Sequence, residues 1–134
     1  MRILVVEDNE AVAVLLRMML TRHGHQVDVC IDPVHCPYHN GESAACSAQE
    51  KPCADAVIVD YQMHHMTGLD LLLQQRQNGC RVPNRNKAVA SALINDERRI
   101  AIERHGFTVL RKPFEKQRLN DFLAGCVSAP ANDD

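Results

Sequence analysis

Five side chains in this sequence have the types and the placement for chemistry on an anionic group: Glu7, Asp8, Asp60, Ser91 and Lys112. Each falls at or just beyond the end of a short apolar run. Glu7 and Asp8 follow RILVV at 2–6, Asp60 closes AVIVD at 56–60, Ser91 closes the run that starts at Lys87, and Lys112 follows the run from Thr108 to Leu110. Three carboxylates gathered without a cation repel and raise one another's pKa. A divalent cation resolves that conflict. An all-oxygen ligand set at an open site favours Mg²⁺, which keeps several waters and bridges to phosphate, and Mn²⁺ belongs to the same oxygen-seeking class. A lysine ammonium and a serine hydroxyl can each face a phosphoryl oxygen. Phosphoryl transfer asks for in-line positioning and neutralisation of spreading oxygen charge more than for a base. Asp60 is the acid placed to accept such a group.

Plainer roles compete with these. Asp60 could cap a turn or pair with Lys112. Glu7 and Asp8 could belong to a polar loop with an N-cap, which Asn9 could equally supply. Ser91 could be a small core hydroxyl and Lys112 a solvated surface charge. A second constellation lies between Asp32 and Cys53. There Cys36 and His39 have a spacing suited to a metal pair, and Cys46 or Cys53 could complete a tetrahedral Zn²⁺ site. Redox-active thiols are another reading of the same cysteines. Against both, there is no paired C-x-x-C knuckle. Cys30, Cys80 and Cys126 read as packing residues, as do Met63 and Met66. His64 and His65 read as solvated or packed histidines.

The elements that must hold the five residues follow from the hydrophobic pattern. RILVV at 2–6 and AVIVD at 56–60 are nearly unbroken apolar runs, which suit strands buried on both faces of a parallel sheet. Further strands are expected at 26–30, 87–91 and 108–110. Residues 10–23 place Val12, Leu15, Leu16, Met19 and Leu20 at helical spacing, and Gly24 ends the run. Helices are also expected at 69–77, at 96–105, and after Pro113 through Leu119, Phe122 and Leu123. A weaker helix is expected at 42–50. Alternation of strand and helix predicts an α/β fold, with right-handed crossovers that cover both faces of one sheet. Ligand sites in such sheets lie beyond the carboxyl ends of the strands, where all five residues fall. Residues 1–126 are expected to form one domain with an insertion at about 32–53, followed by a flexible tail at 127–134.

The opening ILVVEDN, the block VIVDYQMHHMTG, the pair Ser91-Ala92 and RKPF at 111–114 together resemble the receiver domains of bacterial two-component response regulators. The resemblance spans residues 2–124. It implies a doubly wound, flavodoxin-like sheet of five parallel strands in the order 2-1-3-4-5. It implies that Asp60 is the phosphoacceptor, served by a histidine kinase or a histidine phosphotransfer protein. Asp8 would be the direct Mg²⁺ ligand, Glu7 would hold the ion mainly through water, and the backbone carbonyl of Gln62 would be a further ligand. Ser91, with Ala92, and Lys112 would bind the phosphoryl group. The protein would be a switch more than a metabolic enzyme, catalysing only its own phosphorylation and slow dephosphorylation. It would act on a downstream protein as a monomer or a phosphorylation-dependent dimer.

The sequence departs from the family pattern in four places. His64 stands where members usually carry proline. Val109 stands at the switch position usually held by an aromatic residue. Residues 81–86 are longer and more polar than usual, and the 32–53 stretch is longer than the usual link. Two further readings therefore stand beside the switch: a pseudo-receiver interaction module indifferent to phosphate, and a metal or redox sensor built on the insertion.

Composition bounds the rest. In 134 residues, 46% are hydrophobic and 24% charged, the proportions of a folded domain, and a net charge of −2 gives no basic face for nucleic acid. No apolar stretch reaches membrane-spanning length. Glu7 interrupts the first apolar run too early for a secretory signal core, so a cytoplasmic location without disulfides is expected. With helix-turn-helix and output segments both lacking after residue 126, no DNA-binding role is expected.

Overall fold

The computed structural model describes residues 1–31 and 52–127. The expected helix at 42–50, three of the four candidate zinc ligands (Cys36, His39 and Cys46), and the tail from residue 128 lie outside them. The described elements are β1 Arg2–Val6, α1 Glu10–Arg22, β2 Gln26–Cys30, β3 Ala56–Asp60, α2 Gly68–Gln77, a 3-10 turn at Asn84–Asn86, β4 Lys87–Ser91, α3 Asp96–Glu103, β5 Thr108–Arg111 and α4 Lys116–Ala124. All strand pairs are parallel, in the order β2-β1-β3-β4-β5. The fold is the α/β, doubly wound, five-stranded sheet expected from the sequence.

Strand alternation divides the core into two layers. Ile3, Val5, Ile58, Ala88, Ala90 and Leu110 face one side, where Leu16 and Leu20 of α1 and Leu119, Phe122 and Leu123 of α4 cover them. Leu4, Val6, Val57, Val59 and Val89 face the other, against Leu71 and Leu72 of α2, Ile102 of α3 and Phe107. The three inner strands are buried on both faces, which is why β1 and β3 read as continuous apolar runs. Each fully buried branched side chain contributes roughly 1.5–3 kcal/mol. Helix starts are fixed by side chains. Asn9 accepts from the Val12 amide, Thr67 and Asp70 form a capping box, and Asn95 accepts from the Arg98 amide. Asn9, and not Glu7 or Asp8, thus takes the N-cap role.

Two placements were not foreseen. Lys87 opens β4 with no exposed surface; its Nζ has no oxygen or nitrogen partner among the described residues and lies beside the Cys80 thiol and 5.9 Å from the centre of the Phe107 ring. Asn86, equally buried, donates to the carbonyls of Asp55 and Val127 and accepts from the Val127 amide. It thereby holds the first residue of the expected tail. Cys30, Cys53, Cys80 and Cys126 are not joined to one another by disulfides, and each is half-buried. Cys53 and Cys80 pack on the α2/α3 layer together with Met63, Met66 and Val109.

Candidate functional site

The strand order decides what meets at the carboxyl edge. β1 and β3 are neighbours, with Val6 paired to Val59, so Glu7 and Asp60 leave the sheet side by side. β3 and β4 pair Asp60 with Ala90, and β4 and β5 pair Ser91 with Arg111, which brings Ser91 and then Lys112 to the same edge. The Lys112 amide continues that ladder by donating to the Ser91 carbonyl at 3.0 Å. A central strand that ends in an acid is therefore flanked by the acid pair on one side and by the serine and lysine on the other.

Possible ligand atoms of Glu7, Asp8 and Asp60 all lie within 4.8 Å of one another, and this is the metal-competent cluster found among the described residues. Opposite ligands of a Mg²⁺ octahedron stand about 4.2 Å apart, twice its metal–oxygen distance, so a small inward movement closes three carboxylates on one ion. Lys112 Nζ bridges two of them, at 2.7 Å from Asp60 Oδ1 and 3.0 Å from Glu7 Oε2. Asp60 and Glu7 are buried and Asp8 is half-exposed. Burial pushes the Glu7 carboxyl above its ordinary range, against its bond to Lys112, and repulsion from Asp60 adds to the rise. Burial likewise raises Asp60, again against Lys112 and reinforced by Asp8. The expected mutual repulsion is present, but loss of water is the larger cause. Burial alone would lower the Lys112 ammonium, yet its bonds to Asp60 and Glu7 outweigh that and raise it. Three acids faced by one lysine leave a surplus of negative charge in an all-oxygen donor set, which fits a hard divalent cation.

The loop after Asp60 folds back over the site. Gln62 bridges Thr67, and the Gly68 amide donates to the Tyr61 carbonyl at 2.8 Å. Gly68 was expected to serve the turn before α2. Its requirement is steric: a Cβ there would stand 2.4 Å from the Asp60 carbonyl oxygen and 2.8 Å from Val59 Cγ2. His64, read from sequence as solvated or packed, does have an exposed ring, but the ring is engaged. Its backbone amide donates to Asp8 Oδ2 at 3.1 Å and its Nδ1 lies 2.6 Å from the same oxygen. A carboxylate oxygen only accepts, so Nδ1 carries the hydrogen. No spacing rule could have found this pair, because the partners are 56 residues apart.

Ser91 is buried beside the site, and its hydroxyl is bonded to Leu93. Ala92 is exposed in the loop that follows. Val109 sits half-buried in β5 opposite Val89, as part of the packing and apart from the acids. Tyr61 and Arg98, which sequence reasoning did not single out, stack on each other with Cζ 4.2 Å from the ring centroid.

The family model of the response regulator receiver domain matches residues 3–124. The sensory/regulatory protein RpfC of Xanthomonas campestris pv. campestris is 36% identical over 128 residues, covering 92% of this chain and 16% of the relative. The chain thus spans about one sixth of the length of that curated relative. The response regulator MprA of Mycobacterium avium is 35% identical over 83 residues, covering 62% of this chain and 32% of the relative. The activated receiver domain of Klebsiella pneumoniae RstA superposes with a TM-score of 0.73 at 21% identity, covering 92% of this chain and 96% of that one. The response regulator TrrA of Thermotoga maritima, solved in complex with Mg²⁺ and BeF, gives 0.70 at 20% identity, covering 92% and 96%.

Proposed function

The chain belongs to the response regulator receiver domain family of two-component signalling, and from that premise we propose that Asp60 accepts a phosphoryl group from a phosphohistidine of a histidine kinase or phosphotransfer protein. The observation that carries the reading is the meeting of Glu7, Asp8 and Asp60 with Lys112 at the carboxyl edge of the parallel sheet. In the transfer, an Asp60 carboxylate oxygen forms the bond to phosphorus as the bond from phosphorus to the donor imidazole nitrogen breaks. The electron pair goes to the leaving ring nitrogen, which takes up a proton from solvent. Lys112 holds the attacking carboxylate in place and then faces a phosphoryl oxygen. The Ser91 hydroxyl would turn from Leu93 to donate to a second oxygen.

Glu7, Asp8, Asp60 and the carbonyl of Gln62 would hold the divalent cation. When bound, it neutralises charge on the transferred oxygens, which is most of what catalysis of this step requires. Hydrolysis of the acyl phosphate resets the site, so the product of the chemistry is a changed surface and the protein acts as a switch. A small acyl-phosphate donor with Mg²⁺ tests this by intact mass. The wild type should gain about 80 Da, one phosphoryl group, and Asp60→Ala should gain nothing. An equal adduct in both, or none in the wild type, refutes the assignment.

A further inference from the structure

The loop from Ser91 into α3 is closed by contacts that phosphoryl transfer to Asp60 does not itself need. Ser91 Oγ donates to the Leu93 carbonyl at 3.1 Å and accepts from the Leu93 amide at 3.3 Å. The same carbonyl accepts from the Arg98 guanidinium at 2.7 Å. That guanidinium lies over the ring of Tyr61, the residue after Asp60. Tyr61 is itself anchored, its amide donating to the Ala90 carbonyl at 2.7 Å. Arg98 is fixed at its backbone too, where its amide donates to Asn95 Oδ1 at 2.7 Å. One half-buried cation from α3 therefore touches both flanks of the site, β4 through Leu93 and β3 through Tyr61. Both contacts are of the stronger kinds, a charge-assisted hydrogen bond and a guanidinium on an aromatic face.

A hydroxyl has one hydrogen to donate. Ser91 cannot give it to the Leu93 carbonyl and to a phosphoryl oxygen at once. Whatever holds the Leu93 carbonyl in place competes with the engaged state of the serine. We propose that Arg98 is a positioning residue for Ser91. It clasps the Leu93 carbonyl against the Tyr61 ring, keeps the hydroxyl bonded to Leu93 at rest, and carries occupancy of Asp60 to α3 by letting go of the ring. The second half rests on the phosphoryl reading of Asp60, whereas the clasp itself does not.

The test uses side-chain NMR of the full chain. Arg98 protons should be shifted upfield by the Tyr61 ring, and Tyr61→Leu should remove the shift. Ser91→Ala, without any phosphodonor, should move the Arg98 signals toward their unstacked position. Phosphodonor with Mg²⁺ should move them the same way in the wild type, with the adduct verified by mass. Arg98→Met should form the adduct at least about threefold faster, because a charged bond competing with the reactive arrangement has been removed. A merely structural role would slow it. Signals that stay in place in Ser91→Ala, or that stay in place while the adduct forms, overturn the proposal. So does an adduct that forms no faster in a folded Arg98→Met protein. A missing adduct accompanied by movement in Ser91→Ala refutes the phosphoryl reading instead, and supports the clasp.

Discussion

Replacing Lys112 by methionine keeps most of the side-chain stem and removes the charge that spans two buried acids. Its Nζ sits 2.7 Å from Asp60 and 3.0 Å from Glu7, with side-chain exposures of 17% for the lysine, 9% for Asp60 and 4% for Glu7. Deleting one partner of a buried ion pair costs about 3–5 kcal/mol, because the other charge is left behind. The mouth of this site admits water on the Asp8 side, so the lower end applies, about 3 kcal/mol at pH 7. The pH dependence gives the sharper signature. Glu7 and Asp60 have folded pKa values above their ordinary 4.5 and 3.8. Between the ordinary and raised values the folded state binds more protons than the unfolded state, so stability falls as pH rises through that window. Without Lys112, which opposes the rise, the window widens upward and the penalty deepens. The variant should therefore nearly match the wild type near pH 4.5 and fall behind by pH 7. Lys112 itself is raised above 10.5. Its contribution is complete below 10.5 and is lost as pH climbs through the raised value, so the gap closes again in strong alkali. Mg²⁺ can replace the missing charge and should stabilise the variant more than the wild type. Urea unfolding followed by far-UV circular dichroism, at pH 4.5 and 7 with and without Mg²⁺, measures all of this. A cost below about 1 kcal/mol at pH 7, an equal cost at both pH values, or an equal response to Mg²⁺ would refute the electrostatic account.

Two other substitutions probe the scaffold. Lys87→Met should stabilise the protein by about 1–3 kcal/mol at pH 7, since it removes a buried ammonium compensated only by the Cys80 thiol and the Phe107 ring. Burial lowers the Lys87 ammonium from 10.5. The unfolded state therefore binds more protons between the lowered value and 10.5, wild-type stability rises with pH across that range, and the advantage of the variant should shrink there; thermal melts at pH 7 and 10 read the difference. Gly68→Ala drives a Cβ into the Asp60 carbonyl. It should destabilise by about 2 kcal/mol or more and slow phosphorylation of Asp60, measured by urea unfolding and by adduct formation over time. A neutral result would mean that the loop after β3 shifts freely.

The legible part of the fold was the part set by local composition. β1 and β3 announced themselves as apolar runs because a strand covered on both faces has no polar side to show. α1 was legible because its stripe recurs at helical spacing and Asn9 stands at its start. β4 was weaker on the page, with Lys87 at its head and small residues after it, yet all five of its residues are buried. A lysine in that position reads as a boundary from sequence, and only the packing of α2 and α3 over the strand reveals it as interior. In the site, the acids and Lys112 were legible because strand ends in parallel sheets are where ligands bind, so position alone selected them. His64 and Arg98 were not. Their partners, Asp8 and Tyr61, come from other segments, and neither contact leaves a periodic or spacing signature.

Those two unforeseen residues bear on how a site with three converging acids holds together. Glu7 receives Lys112 and the Asn9 amide. Asp60 shares the same lysine. The ammonium of Lys112 is bonded to those two acids, and Asp8 instead accepts the backbone and ring N–H groups of His64. Each acid thus has a donor from outside its own segment: the loop after β5 for two of them and the loop after β3 for the third. The consequence is directional. A cation bound at this cluster would meet Glu7 and Asp60 already braced by Lys112, so the group that would have to yield is the exposed histidine on Asp8. On the proposed reading, a phosphoryl group at Asp60 would meet instead the lysine and the serine. The ion would then be met mainly from the β1 side, and the anion from the β4 and β5 side, through Ser91, Leu93 and Arg98.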